Sequence, residues 1–239
     1  MRDARYSMLI ARRFRGPPDS ANGGYTAGLL AKNLQGAVEV TLRRPPPLER
    51  ELSVAVSEGQ ARFSDGELLI AEARLAAVEL EAPPAPSFER AQALSKNYIG
   101  HVRHHFPSCF VCGPARASGD GLRIFPGAEQ PGDPVAAPWI PDAGVADADT
   151  DADGAVRQEL LWAALDCIGY FAIAAPDYPV ALLGRMTAEI VGRVNAGTRC
   201  IVVGWPLARE GRKLHAGTAI YDDDGKPLGI ARQTWIALG

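Results

Sequence analysis

The same order of elements, one helix and then a train of strand signals, is written twice in this chain. After Gly23-Gly24, apolar residues at positions 25, 29, 30 and 34 give a short amphipathic helix over Tyr25–Leu34. Strand signals follow it. Val38–Leu42 alternates and stops at Pro45-Pro46-Pro47, Leu52–Val56 alternates again, Ser64-Asp65-Gly66 reads as a turn, and Leu68–Leu80 as a long returning strand. The second copy opens with a more apolar helix over Arg157–Ala174, carrying Leu160, Leu161, Ala164, Leu165 and Ile168. Ala188–Val194, Cys200–Trp205, Leu214–Tyr221 and Leu228–Leu238 then read as strands, with turns at Asn195-Ala196-Gly197 and Asp222-Asp223-Asp224-Gly225. Duplication of one α+β unit is the economical reading.

A single helix cannot cover both faces of four or five antiparallel strands, so each helix is expected on one face, with a curved sheet wrapped around it. Two such units can join their sheets edge to edge and protect exposed strand edges, doing within one chain what a single unit does by dimerising. Compositional breaks at Pro83-Pro84-Ala85-Pro86 and across Gly127–Gly154 mark connections. The expected units are 1–95 and 96–239. The aspartate-rich run at 142–153 lacks the closing Glu and the ligand spacing of a calcium loop, and is expected to be a mobile acidic loop.

The formal net charge of -3 gives no concentrated basic surface for nucleic acid. MRDARYSMLIARRF at the N-terminus has no apolar run long enough for a signal peptide or membrane span, which predicts a cytoplasmic protein. Four cysteines in 239 residues do not make a disulfide scaffold, and Cys167 and Cys200 sit in apolar runs as core residues. Cys109-x-x-Cys112 with His101, His104 and His105 invites a zinc reading. The histidines precede the cysteines by only a few residues and no second pair follows, so a structural loop without metal is expected.

Cys109-Phe-Val-Cys112-Gly113-Pro114, followed by Gly121-Leu122-Arg123-Ile124, resembles the opening of small hotdog-fold thioesterases of the phenylacetate-pathway type. Arg157-Gln-Glu-Leu-Leu-Trp-Ala-Ala-Leu-Asp166 resembles that family's helix start in spacing, with Gln158-Glu159 where the family carries glycines. In the first half, Phe14-Arg-Gly-Pro and Ser20-Ala-Asn-Gly23-Gly24-Tyr-Thr-Ala-Gly28 resemble double-hotdog acyl-CoA thioesterases, where a paired glycine opens the helix. Together these resemblances imply a tandem (double) hotdog, each unit a curved antiparallel sheet around a central helix, and a substrate site at the interface of the units. The position in the first helix that corresponds to Asp166 is Ala31. One repeat thus keeps the glycine turn and the other keeps the acid, which leaves one composite site and a dead mirror image.

The implied function is hydrolysis of an acyl thioester, with coenzyme A as part of the substrate and no further cofactor. A backbone N–H of Gly23 or Gly24 at the helix N-terminus would stabilise the developing oxyanion, and the Asp166 carboxylate would activate water or attack the carbonyl. The same resemblance suggests Thr187, Gln233 and Thr234 as polar partners around the water. Arg185, Arg193 and Arg123 lie near strand ends and carry the fork geometry that suits the phosphates of coenzyme A. Fold-level analogy implies further pairing into a homodimer. Two other functions compete: an acyl-thioester or apolar small-molecule binder without turnover, and a thioester hydratase or dehydratase. Against the latter, Asp166 is followed by Cys-Ile-Gly-Tyr-Phe, without a nearby histidine.

Overall fold

The computed structural model describes residues 4–142 and 154–238. Apart from Asp142, the expected acidic loop lies outside the described residues. Ten strands form one continuous antiparallel sheet in the order β1-β3-β4-β5-β2-β7-β10-β9-β8-β6. The first five are Ala4–Leu9 (β1), Val38–Leu42 (β2), Glu51–Ser57 (β3), Gln60–Asp65 (β4) and Leu68–Leu75 (β5). The second five are Val135–Trp139 (β6), Ala181–Ile190 (β7), Cys200–Glu210 (β8), Lys213–Asp222 (β9) and Pro227–Ala237 (β10). Helix α1 (Gly23–Ala31) falls between β1 and β2, and α3 (Gln158–Ile173) between β6 and β7; a further helix, α2 (Phe88–Ser95), lies between the halves.

Renumbering the second five strands from one converts 6-8-9-10-7 into 1-3-4-5-2, so the two halves share one topology, strand, helix and four strands. They meet where β2 pairs with β7, from Val38 opposite Ala188 to Thr41 opposite Arg185. The two helices pack on each other across this seam. Helix α1 is not amphipathic in its surroundings: every residue from Gly24 to Ala31 is buried, because sheet covers one side and α3 the other.

Several elements depart from the sequence reading. The returning strand expected over Leu68–Leu80 ends at Leu75, where its partner β2 begins. Beyond it the chain stays extended and lays Leu80, Ala82 and Ala85 on a second apolar cluster built from Ile201, Val203, Trp205 and Tyr221 of β8 and β9. Helix α2 adds Phe88, Ala91 and Leu94 to that cluster. The second half's sheet is therefore covered on both faces, whereas one face had been expected. Strand β7 runs over Ala181–Ile190 rather than Ala188–Val194, because β10 pairs with it from Ala181 to Ile190 and β2 from Arg185 to Ala188.

Candidate active site

Helix α1 begins with Asn22 as its N-cap: the extended backbone there turns into the helix, and the Asn22 side chain accepts from the Tyr25 N–H at 2.9 Å. Two glycines at the first helical positions weaken intrinsic helicity, and their use is spatial. A Cβ placed on Gly24 would lie 2.4 Å from the Asp166 Cβ and 2.7 Å from the Trp162 carbonyl oxygen; one on Gly28 would lie 2.5 Å from the Glu159 Cα. Only glycine at this i, i+4 pair lets α1 approach the α3 backbone so closely.

That approach brings the two expected halves of the site together. The Gly24 N–H donates to the Asp166 Oδ2 at 3.0 Å, and the Asn22 Nδ2 donates to the same oxygen at 2.7 Å. The other oxygen, Oδ1, is buried without a hydrogen-bond partner. Asp166 is only 1% exposed. Burial pushes its carboxyl up to about 7, the Gly24 N–H draws it back, the neighbouring Cys109 raises it, and Asn22 lowers it. A carboxyl poised there can both take and return a proton at neutral pH.

Asp166 borders a cavity of about 270 Å³, lined mainly by apolar side chains that include Phe106, Phe171, Leu183 and Trp235. The glycine pair divides its labour: Gly23 lines this cavity and Gly24 does not. Among the described residues no acceptor meets the Gly23 N–H, which leaves one helix N-terminal amide free at the cavity wall.

The other sequence candidates lie outside the cavity lining. Gln233 is fully buried beside α3, donating to the Leu165 carbonyl at 2.5 Å and accepting from the Trp235 indole at 2.7 Å. Thr187 is buried in β7 opposite Glu39 and Arg232, and the Thr234 hydroxyl bonds His215 at 3.1 Å. Arg185 bonds Thr41 at 3.2 Å and faces Glu39; Arg123 bonds the Arg116 carbonyl and covers the Phe125 ring; Arg193 is exposed beyond β7. The arginines that do border the cavity are Arg43, Arg44 and Arg103.

Sequence reading gave four neighbouring side chains, Asn22, Cys109, Cys112 and Cys167, no role beside the carboxylate. Asn22 was visible as an N-cap residue before the glycine pair. Cys109 and Cys112 were visible as a motif, but their meeting with Cys167 of α3 was not. The three buried sulfurs lie within 4.8 Å of one another. Asn22 links them to the acid, its Nδ2 lying 3.7 Å from the Cys167 Sγ and 4.0 Å from the Cys109 Sγ. Phe14 stacked on Tyr25 at 4.0 Å, with Phe110 edge-on to both, fastens the cysteine loop to α1.

On the opposite side of the helix pair, the mirror position is filled. Glu159, which corresponds to Gly24, is buried and pairs with Lys32 and Arg157 at 3.6 Å each.

Comparison with known proteins supplies the name of the fold. A protein with the hot dog fold from Alicyclobacillus acidocaldarius is 11% identical with a TM-score of 0.58, covering 98% of this chain and 93% of its own. Acyl-CoA thioesterase II of Mycobacterium marinum is 10% identical with a TM-score of 0.57, covering 98% and 93%. The chain is a double hotdog. The dehydratase domain of a mycocerosic acid synthase-like polyketide synthase matches as well, at 15% identity and a TM-score of 0.61 over 99% of this double hotdog and 92% of the domain. No family profile matches the chain, and no curated protein does. Among the described residues, no helix is long and apolar enough to cross a membrane.

Proposed function

We propose that this double hotdog is an acyl-CoA thioesterase-like hydrolase whose single working cleft is the one beside Asp166. The observation that carries the reading is the asymmetry of that carboxylate: Oδ2 is tied to Asn22 and Gly24, and Oδ1 is left without a protein partner on a residue that borders an apolar cavity. A buried oxygen without a partner is costly, and a water there would relieve it. Asp166 then removes a proton from that water as its oxygen bonds the thioester carbon. The oxyanion forms toward the free Gly23 N–H and the positive end of α1. Collapse breaks the C–S bond, and the departing thiolate takes the proton back from Asp166, giving a carboxylic acid and free coenzyme A. The cavity's apolar lining suits an acyl chain, and Arg43, Arg44 and Arg103 suit the phosphates of the carrier.

One observation favours a second reading, binding without turnover: the Gly24 amide is already spent on Asp166 and cannot also face an oxyanion. The dehydratase reading finds less support, because both nitrogens of His104, which shares the cavity, are engaged by Phe106 and Cys112. Acyl-CoA thioesters of graded length should be incubated with the protein, and the free acid and coenzyme A separated by chromatography. Asp166→Asn, close in shape, is expected to lower the rate by at least about 100-fold, as loss of a general base does. Unchanged hydrolysis in that variant would remove Asp166 from the chemistry. A thermal shift with acyl-CoA but no product would select the binder.

A further inference from the structure

Three thiols seldom converge in a protein core without a reason, since each is a weak hydrogen-bonding group whose chemistry usually decides its placement. Cys109 and Cys112 come from a tight loop and Cys167 from the middle of α3, and all three are buried and free. The loop closes tightly after the first cysteine, where the Gly113 N–H donates to the Cys109 carbonyl at 3.0 Å. A Cβ on Gly113 would lie 2.5 Å from the carbonyl oxygens of Cys109 and Pro107, so the tight turn needs glycine after the second cysteine.

The sulfur spacing matches a metal polyhedron. With Zn–S bonds of about 2.3 Å, tetrahedrally placed sulfurs stand about 3.8 Å apart. Cys109 and Cys167 are 3.6 Å apart, and the whole set falls within 4.8 Å. A disulfide would use two of the sulfurs and leave the third unexplained.

We propose that Cys109, Cys112 and Cys167 bind one zinc ion as three thiolates, with the fourth position turned to the cavity that all three border. His104 stands 3.4 Å from the Cys112 Sγ but is not the fourth ligand. Its Nδ1 accepts from the Phe106 N–H at 2.9 Å, which keeps the proton of the neutral ring on Nε2, facing the sulfur as a donor. It supports the ligand from outside, as second partners of metal ligands do. The ion would tie the loop to α3 one residue from Asp166, with Asn22 spanning both.

The test measures metal, so it is independent of any thioesterase activity. Reduced full-length protein is dialysed against zinc and then metal-free buffer, and its metal is counted by mass spectrometry. About one zinc per chain is expected, and the Cys167→Ser and Cys109→Ser variants should retain at least about tenfold less. Cys200→Ser, which alters a buried cysteine in β8 outside the cluster, should retain all of it. If the serine variants misfold, cobalt added to the unaltered protein decides. Intense thiolate charge-transfer bands with four-coordinate d–d bands support the site. A six-coordinate spectrum, retention equal to that of the serine variants, or a Cys109–Cys167 disulfide persisting in the reduced protein would overturn it.

Discussion

Replacing Gly24 with alanine adds one methyl group at the tightest point between α1 and α3. That methyl would sit 2.4 Å from the Asp166 Cβ and 2.7 Å from the Trp162 backbone oxygen, about 1 Å inside the usual contact distance of about 3.5 Å. Neither neighbour is the end of a flexible side chain, so the helices must part. Overpacking of this kind costs about 1 to 3 kcal/mol. Parting also stretches the Gly24 N–H bond to the Asp166 carboxylate, a bond to a chargeable group contributing about 1.5 to 3 kcal/mol. Alanine returns up to about 1 kcal/mol of helix propensity. The expected net loss is about 2 to 5 kcal/mol, a fall in melting temperature of about 5 to 15 °C for a chain of this size. Gly23→Ala is the internal control, because the nearest neighbours of its methyl would be side-chain atoms of Leu183 and Leu42 at 3.0 to 3.1 Å, and it should stay within about 1 kcal/mol of the parent. Urea titrations of both variants, read by tryptophan fluorescence, make the comparison. Equal midpoints for the two would refute the claim that Gly24 exists to admit α3.

Asn22→Ala removes the N-cap of α1 and one of the two donors to Asp166; a loss of about 2 to 4 kcal/mol is expected in the same titration. Gln233→Ala strands the buried Trp235 indole N–H, and should lower stability by about 1 to 3 kcal/mol. An unchanged melting temperature there would show that the bond carries no weight.

What the sequence made legible was whatever is local or periodic. The duplicated order of elements, the glycine pair and the interrupting Asp166 all announce themselves within about ten residues of chain. Of the three strands it hid, β4 is short and internal, overlapping the residues read as a turn at 64–66, and β1 and β6 are the equivalent outer edges of the sheet. Edge strands carry little hydrophobic alternation: β1 is mostly exposed, and β6 contains Pro138, which argues against a strand when read in isolation. The overextended strand past Leu75 failed for a related reason. Residues 76–85 keep an alternating pattern, but they spend it covering the outer face of β8 and β9 rather than pairing. At the site, Cys167 read as a core residue and is one, but its meeting with Cys112 and Cys109 was hidden because they lie 55 and 58 residues away. Arg185 and Arg123 were placed by proximity to strand ends, a criterion that does not say which face a side chain takes. Their guanidinium groups turn to Thr41 and to Phe125 instead.

The Glu159 cluster with Lys32 and Arg157 has a meaning beyond its contribution to packing. In an assembly of two identical chains, any change at a helix start appears in both clefts at once, so a cleft cannot be closed without closing its twin. Writing the two halves in one polypeptide removes that constraint. One helix start could take an ion-paired Glu159 while the other kept its glycine pair, so each can change without changing the other.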